Sequence, residues 1–208
     1  MEIIKNIGIM TACYLFGAIP FCYIIGKIKS GKKLTEIGDR NPGGWNLLFN
    51  VSKLRGILGI FLDIAKGYIS YFIALRLSNI ELMAILAGSL AVAGHNYSPY
   101  LKFKGGKGIA TTIGLFLAIH PISIIAFAVG ILSGLFLIRN MIWGVMLGIL
   151  ATSIFLYLFK SSPIYLVLAG LLLIIMVPKQ INYTLKFFCN FKFYKEKELK
   201  DLFTPKIR

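Results

Sequence analysis

Seven apolar stretches, separated by short polar segments, follow one another along most of the chain. They cover roughly residues 7–26, 57–77, 81–94, 108–119, 121–138, 141–159 and 163–178. A helix needs about 20 mostly apolar residues to cross a bilayer, so the shorter third and fourth stretches are expected to tilt or to extend into their flanking loops. The pattern predicts an all-α polytopic membrane protein with seven transmembrane helices.

Proline and glycine define the ends and the contacts of the later stretches. Pro121 separates the fourth stretch from the fifth, because proline disfavours helical backbone at the residue before it. Glycines at four-residue spacing occur in both the fifth and the sixth stretch, at Gly130/Gly134 and Gly144/Gly148. Small residues at this spacing let two membrane helices approach closely, so these two helices are expected to pack together.

Positive charge is concentrated on alternate loops. The chain has 23 Lys and Arg against eight Asp and Glu, which gives a net charge of +15. Nineteen of these basic residues lie in segments 27–55, 102–107 and 179–208 and at Arg139. These segments share one side if the stretches cross the membrane in turn, and the positive-inside rule makes that side cytoplasmic. The N-terminus is therefore expected outside and the C-terminus in the cytoplasm, and no nucleic-acid partner is needed to explain the charge.

Composition supports one membrane domain and a basic tail. The chain is 57% hydrophobic with a mean hydropathy of +0.78, values typical of a polytopic membrane protein. Residues 1–178 are predicted to form this domain, and 179–208, where lysines are interleaved with phenylalanines, a basic amphipathic cytoplasmic tail on an anionic leaflet. A solvated, poorly ordered tail is the alternative. The three cysteines show no metal or redox spacing.

Two polar clusters interrupt this apolar background. The first, residues 37–46, combines glycines, a proline and asparagines, which indicates a tight, irregular loop. Asn41 and Asn46 can donate to phosphate or carbonyl oxygens, although a plain turn is also possible. The second is Asp63 with Lys66, three residues apart inside the second stretch and therefore on one helix face. Ionisable residues within a membrane usually serve function, but a structural ion pair is equally compatible with the spacing.

The most informative segment is the glycine-rich, basic stretch from Gly94 to Thr111. Gly105, Gly106, Lys107 and Gly108 stand where the fourth apolar stretch begins. Backbone N–H groups at a helix start, together with lysines, make a binding site for phosphate. Gly108 follows Lys107 where a nucleotide-binding P-loop has serine or threonine, so nucleotide hydrolysis is not expected.

Few other catalytic groups are present in the sequence. His95 is either a general base or a hydrogen-bonded structural histidine, and Lys104 and Lys107 are stronger candidates for binding phosphate. No Ser-His-Asp order or metal cluster is recognisable. If the protein is an enzyme, we expect it to work by positioning its substrates and by stabilising anionic oxygens.

Four stretches together resemble the bacterial acyl-phosphate-dependent glycerol-3-phosphate acyltransferase family, whose members are small integral membrane enzymes. Segment 17–21 is similar to the family's first-helix signature, and Asn41-Pro42-Gly43 with Asn46 is similar to its first active-site loop. Segment 62–67 is similar to its second-helix motif. Gly94-His95, Pro99 and 103–111 are similar to its central motif, which is the most specific of the four.

The resemblance implies seven helices, a site facing the cytoplasm and no cofactor or metal. It implies transfer of an acyl group from acyl phosphate to the 1-hydroxyl of glycerol 3-phosphate, giving lysophosphatidic acid, at the membrane of a bacterial cell. The implied catalytic residues are Asn41, His95 and Lys107. The implied substrate-binding residues are Asp39, Gly43, Asn46, Asp63, Lys66, Lys104, Gly105, Gly106, Gly108, Thr111 and Asn182.

Several positions depart from the family pattern. Asp39 stands where the family loop has serine, Trp45 where it has threonine, and Phe49 near an expected arginine. The family's C-terminal motif is reduced to the surroundings of Asn182. A carboxylate at Asp39 repels a phosphate unless a nearby cation compensates. The acceptor could therefore be another polyol phosphate, and a transporter or binding protein for a lipid or phospho-metabolite, or a catalytically silent paralogue, are the alternative functions. The oligomeric state stays open.

Overall fold

The computed structural model describes the backbone of residues 1–189 and the side chains of residues 1–179. This part of the chain is helical and contains no strand, which confirms the predicted all-α class for the described residues. Two short 3-10 turns, Leu34–Glu36 and Pro99–Leu101, interrupt the loops. The α-helices are α1 (Glu2–Ala18), α2 (Phe21–Ser30), α3 (Gly44–Asn50), α4 (Lys53–Ser78), α5 (Glu81–Asn96), α6 (Ile109–Ile119), α7 (Ser123–Ile138), α8 (Met141–Lys160) and α9 (Ile164–Cys189).

The helices form two compact units. The first, Met1–Pro121, contains α1 to α6, and the second begins at Ile122. In the first unit α4 is central, since it contacts α1, α2, α3, α5 and α6, and α1 packs along α5. In the second unit α8 packs against both α7 and α9. All predicted site residues except Asn182 belong to the first unit.

Within the described residues, three helical segments are long and apolar enough to cross a membrane. They are Glu2–Ser30, which combines α1 and α2, together with α4 and α8. Helices α6 and α7 and the segment Ile164–Lys179 of α9 are apolar but shorter. Each apolar stretch of the sequence corresponds to helix within a few residues. The number of complete crossings and the orientation of the termini stay predictions.

The first stretch corrects the expectation of a single helix over 7–26. Helix α1 ends at Ala18, and α2 begins at Phe21. Ile19 adopts extended backbone (ψ 117°) immediately before Pro20, as proline favours at the residue before it. Pro20 also brings no N–H to the helix, so carbonyl groups of the last turn of α1 lose their usual partners.

The end of the last stretch also differs from its expected position. Helix α9 continues through Pro178 to Cys189, so no helix end separates the predicted domain 1–178 from the predicted tail 179–208. Residues 190–208, which carry most of the basic tail, lie outside the described residues. The division into domain and amphipathic tail therefore stays a prediction.

Close glycine contacts hold neighbouring helices together. A Cβ added at Gly130 would collide with Gly148, and one at Gly134 would collide with Gly144. This confirms the predicted close packing of the fifth and sixth stretches, which are α7 and α8. In the first unit, Gly17 of α1 makes the same kind of close approach to the backbone of Ala91 in α5.

We expect Gly17→Ala to destabilise the protein by about 1–3 kcal/mol, because the added methyl group has no space at the α1–α5 crossing. Gly8→Ala is the matched control, since Gly8 lies in the same helix and nothing stands within 4 Å of the added Cβ. The control should be neutral or slightly stabilising, since alanine favours helix. Thermal unfolding of both variants in detergent measures the difference, and equal midpoints would contradict the close crossing.

Candidate active site

The carbonyl groups at the break between α1 and α2 accept hydrogen bonds from α4 and from the loop after α5. Lys66 Nζ donates to the carbonyl oxygens of Gly17 and Ile19, each at 2.9 Å. Ser98 Oγ donates to the carbonyl oxygen of Ala18 at 2.6 Å. A membrane interior offers no water to satisfy such carbonyls, so these contacts allow an irregular backbone to persist within an apolar segment.

A buried ionic cluster lies next to this break. Asp63 Oδ1 and Lys66 Nζ are 2.8 Å apart, and their side chains are 3% and 0% exposed. The two side chains form a close ion pair, although the angles of this contact do not meet the criteria for a hydrogen bond. The contact predicted from their spacing is confirmed. His95 Nδ1 lies 3.1 Å from Lys66 Nζ and 3.5 Å from Asp63 Oδ1. Helix α4 therefore contributes Asp63 and Lys66, α5 contributes His95, and the carbonyl partners come from the end of α1 and the residue after it.

A small pocket opens beside the cluster. Its walls come from the α1–α2 break, from the cluster, and from two loops, the 38–46 loop and the glycine loop (residues 105–108). The lining residues are Ala18, Ile19, Pro20, Phe21, Cys22, Pro42, Asp63, Lys66, His95, Leu101, Gly105 and Gly106. Four predicted substrate-binding residues thus line this pocket together with His95; they are Asp63, Lys66, Gly105 and Gly106.

The glycine loop corrects one part of the phosphate prediction. The N–H groups of Gly105 and Gly106 are not exposed donors, because they bind the carbonyl oxygens of Asn96 and His95 at 3.1 and 3.0 Å. Those carbonyls belong to the last turn of α5, which lacks helical partners. A side chain at Gly106 would collide with the imidazole of His95. These glycines therefore allow the loop to pack against the end of α5.

The start of α6 provides the donors that the glycines do not. Gly108 is the N-cap residue, with φ at 82°, and no side chain caps the helix. The N–H groups of the first helical turn have no acceptor within the helix, and their dipoles favour an anion. Thr111, in this turn, is fully buried. The structure thus shows partners for the N–H groups of Gly105 and Gly106, and the phosphate site stays a prediction.

The 38–46 loop is held together by its own polar side chains. Asp39 Oδ1 accepts from the Asn41 N–H at 3.1 Å, and Asn41 Oδ1 accepts from the Gly43 N–H at 3.2 Å. Asn46 Nδ2 lies 2.8–3.0 Å from the carbonyl oxygens of Leu34, Ile37 and Asn41. Asn46 is buried, and its amide donates to backbone carbonyl oxygens. Of the two kinds of acceptor that the sequence suggested, phosphate and carbonyl oxygens, the structure shows the carbonyls.

The two loops meet directly. Lys107 Nζ lies 3.8 Å from Asp39 Oδ2, and both side chains are partly exposed. Pro42 lines the pocket together with Gly105 and Gly106. A cation therefore does stand beside the carboxylate of Asp39, and the loops that the sequence placed in different motifs border the same pocket.

Some predicted residues are not part of the pocket lining. The predicted residues that do not line it are Asp39, Asn41, Gly43, Asn46, Lys104, Lys107, Gly108 and Thr111. Lys104 is exposed. Asn182 lies in α9, in the second unit, and its side chain is outside the described residues.

Two contacts were missed by sequence reasoning. Cys22 Sγ donates to Asp63 Oδ2 at 3.1 Å, a contact that the spacing of the cysteines did not predict. Ser98 supports the broken backbone, as described above. The available signal was Pro20: a proline inside an apolar stretch frees carbonyl groups, and these require donors from elsewhere in the protein.

The family model and two relatives that match this chain carry the same description. The model of the glycerol-3-phosphate acyltransferase family matches residues 7–186. A glycerol-3-phosphate acyltransferase of Anaplasma phagocytophilum is 34% identical over 77% of this chain and 84% of its own length. The enzyme of the same name from Thermosipho melanesiensis is 47% identical, but the match spans only 55% of this chain and 56% of that protein.

Two solved structures share the fold. Both are crystal structures of PlsY, an integral membrane glycerol 3-phosphate acyltransferase, one in its glycerol 3-phosphate form and one in its lysophosphatidic acid form. They are 27% and 25% identical to this chain, with TM-scores of 0.71 and 0.73, and each covers 88% of it and 92% of the solved chain. This is a membrane protein, and the chain belongs to the glycerol-3-phosphate acyltransferase family.

Proposed function

We propose that this protein moves a fatty acyl group from acyl phosphate to the 1-hydroxyl of glycerol 3-phosphate, or of a related polyol phosphate, in phospholipid synthesis. The products are lysophosphatidic acid and inorganic phosphate. The observation that carries the proposal is the meeting of the 38–46 loop and the glycine loop at one pocket, with Lys107 beside it. Both substrates carry a phosphate, so a cation next to a helix start suits them.

The chemistry requires little beyond positioning and charge stabilisation. The acceptor hydroxyl oxygen attacks the acyl carbonyl carbon, an ester C–O bond forms, and the C–O bond to the phosphate breaks. The phosphate leaves with the electron pair, and the hydroxyl proton passes to a base. Donors aimed at the oxygens that gain charge lower this barrier. We assign that role to Lys107 and to the first-turn N–H groups of α6.

We propose that His95 is the base that accepts the proton of the acceptor hydroxyl group. Its Nδ1 lies between Asp63 and Lys66, and its Nε2 faces the backbone of Gly106 at the pocket. A histidine that is oriented through one ring nitrogen can use the other for proton transfer. Asn41, Gly43 and Asn46 would shape the loop that holds the acceptor. Lys104, Thr111 and Asn182 stay proposed substrate-binding residues.

The membrane arrangement belongs to the same proposal. Seven crossings with an outer N-terminus would put the 27–56 and 95–107 loops in the cytoplasm, as their positive charge favours. A thiol probe that cannot cross membranes tests this with a cysteine introduced at Lys32. Labelling in inverted vesicles but not in intact cells supports the orientation, and the reverse pattern contradicts it.

Turnover is the direct test of function. Purified protein in lipid nanodiscs should convert palmitoyl phosphate and glycerol 3-phosphate into lysophosphatidic acid, detected by mass spectrometry, with release of one phosphate per product. Omission of either substrate should abolish both signals. Transfer from palmitoyl-CoA but not from palmitoyl phosphate would contradict the donor, and substrate binding without product would favour a transport or binding role.

A further inference from the structure

Asp39 places a negative charge beside the cation that we assign to substrate phosphate. Its Oδ1 accepts from the N–H of Asn41 at 3.1 Å, which anchors the carboxylate on the 38–46 loop. Its Oδ2 lies 3.8 Å from Lys107 Nζ on the glycine loop. The two oxygens therefore have different partners, one within the turn and one across the pocket border.

This geometry makes the carboxylate a competitor for phosphate. Asp39 is 20% exposed and Lys107 is 44% exposed, so an anion arriving from solvent reaches the same ammonium group. A bound phosphate experiences attraction to Lys107 and repulsion from Asp39 at similar distances. The serine that the family pattern has at this position carries no charge and lacks this repulsion.

We infer that Asp39 competes with the substrate phosphate for Lys107 and raises the concentration of phosphorylated substrate needed to fill the site. This inference rests on the proposed function, because it takes Lys107 as the phosphate-binding cation. The contact between Asp39 and Lys107 is present when the site is empty, and a bound phosphate takes the place of the carboxylate beside Lys107. The consequence is weaker binding of the substrate phosphate.

Asp39→Asn separates this role from a purely structural one. The amide oxygen retains the acceptor for the Asn41 N–H, so the turn is kept while the charge is removed. We expect the KM of the substrate whose phosphate binds Lys107 to fall about threefold to fivefold, as for an exposed ion pair, with kcat unchanged. Measuring KM separately for palmitoyl phosphate and for glycerol 3-phosphate identifies which substrate that is.

The dependence of KM on ionic strength is a second test of the charge of Asp39. Without Asp39 the local field around Lys107 is more positive, so the KM of the variant should rise more steeply with ionic strength than that of the parent protein. Asp39→Ser, the residue of the family pattern, should lower KM in the same direction. If KM for both substrates is unchanged or rises in Asp39→Asn, the inference is wrong.

Glu36→Gln is the matched control. Glu36 lies in the same segment and pairs with Lys33 at 2.8 Å, with both side chains more than half exposed. This hydrogen bond raises the pKa of Lys33, and neither residue lines the pocket. The variant removes the same amount of charge and should leave both KM values unchanged. An equal fall in KM would assign the effect to net charge and overturn the role of Asp39.

Binding of inorganic phosphate tests the inference without turnover. Calorimetric titration of phosphate into the full-length protein in detergent should show tighter binding by Asp39→Asn than by the parent, and no change for Glu36→Gln. If the parent protein makes no lysophosphatidic acid, the proposed function fails, whereas this titration still decides the competition at Lys107. Equal phosphate affinities in the parent and Asp39→Asn would overturn it.

Discussion

Lys66→Met is expected to destabilise the first unit by about 3–5 kcal/mol, the usual cost of removing one partner from a buried ion pair. The Lys66 side chain is fully buried. Its loss leaves the charge of Asp63 uncompensated and removes the donors from the carbonyl oxygens of Gly17 and Ile19. Methionine has a similar length, so the change removes charge and hydrogen bonds rather than volume.

Thermal unfolding in detergent, followed with a thiol-reactive fluorophore, measures this effect, because Cys13 and Cys22 are buried in the folded protein. Lys53→Met is the control, since Lys53 is exposed at the start of the same helix. The double variant Asp63→Asn/Lys66→Met should recover part of the loss, since no buried charge remains unpaired. An unchanged unfolding midpoint for Lys66→Met would show that the buried pair does not hold the α1–α2 break together.

Lys107→Ala is expected to lower kcat/KM about 10²–10³-fold while the fold is retained. Removing one group that stabilises a developing anion typically costs this much, and Lys107 is the pocket-border cation that pairs with Asp39. Because its side chain is 44% exposed, the substitution creates no buried cavity. The unfolding midpoint should therefore stay close to that of the parent protein.

Lysophosphatidic acid formed per minute, at several concentrations of each substrate, separates the effect on kcat from that on KM. Lys29→Ala, an exposed lysine of α2, is the control for loss of one positive charge. Lys107→Arg should keep part of the activity, since it keeps the charge but changes the donor geometry. Normal turnover by Lys107→Ala would remove this residue from the proposed mechanism.

Local sequence patterns predicted the helices well, and failed where a break depended on a single residue. The apolar stretches required helix because a membrane interior leaves no other partner for backbone groups. The same reasoning could not settle whether Pro20 kinks or ends the first helix. That outcome depends on whether donors such as Lys66 and Ser98 reach the freed carbonyls, and both lie far away in the sequence.

The candidate site shows the same division. The Asp63–Lys66 pair was predictable because residues three apart share a helix face. The sequence singled out the glycine loop for its backbone N–H groups, and Gly105 and Gly106 do line the pocket. Their N–H groups, however, bind the end of α5, so we propose the first turn of α6 as the anion-binding segment instead. Which amides stay available is decided by how the loop packs on a neighbouring helix.

The amino-acid sequence by itself determined the helical class, the pairing of Asp63 with Lys66 and the polar loops that carry the family motifs, because each depends on periodicity or on residues close together in the chain. Only the tertiary structure decided that Lys66 supports backbone 47–49 residues away and that Lys107 faces Asp39. The physical reason is that such contacts arise from helix crossings, whose distances and angles are set by packing of the whole unit.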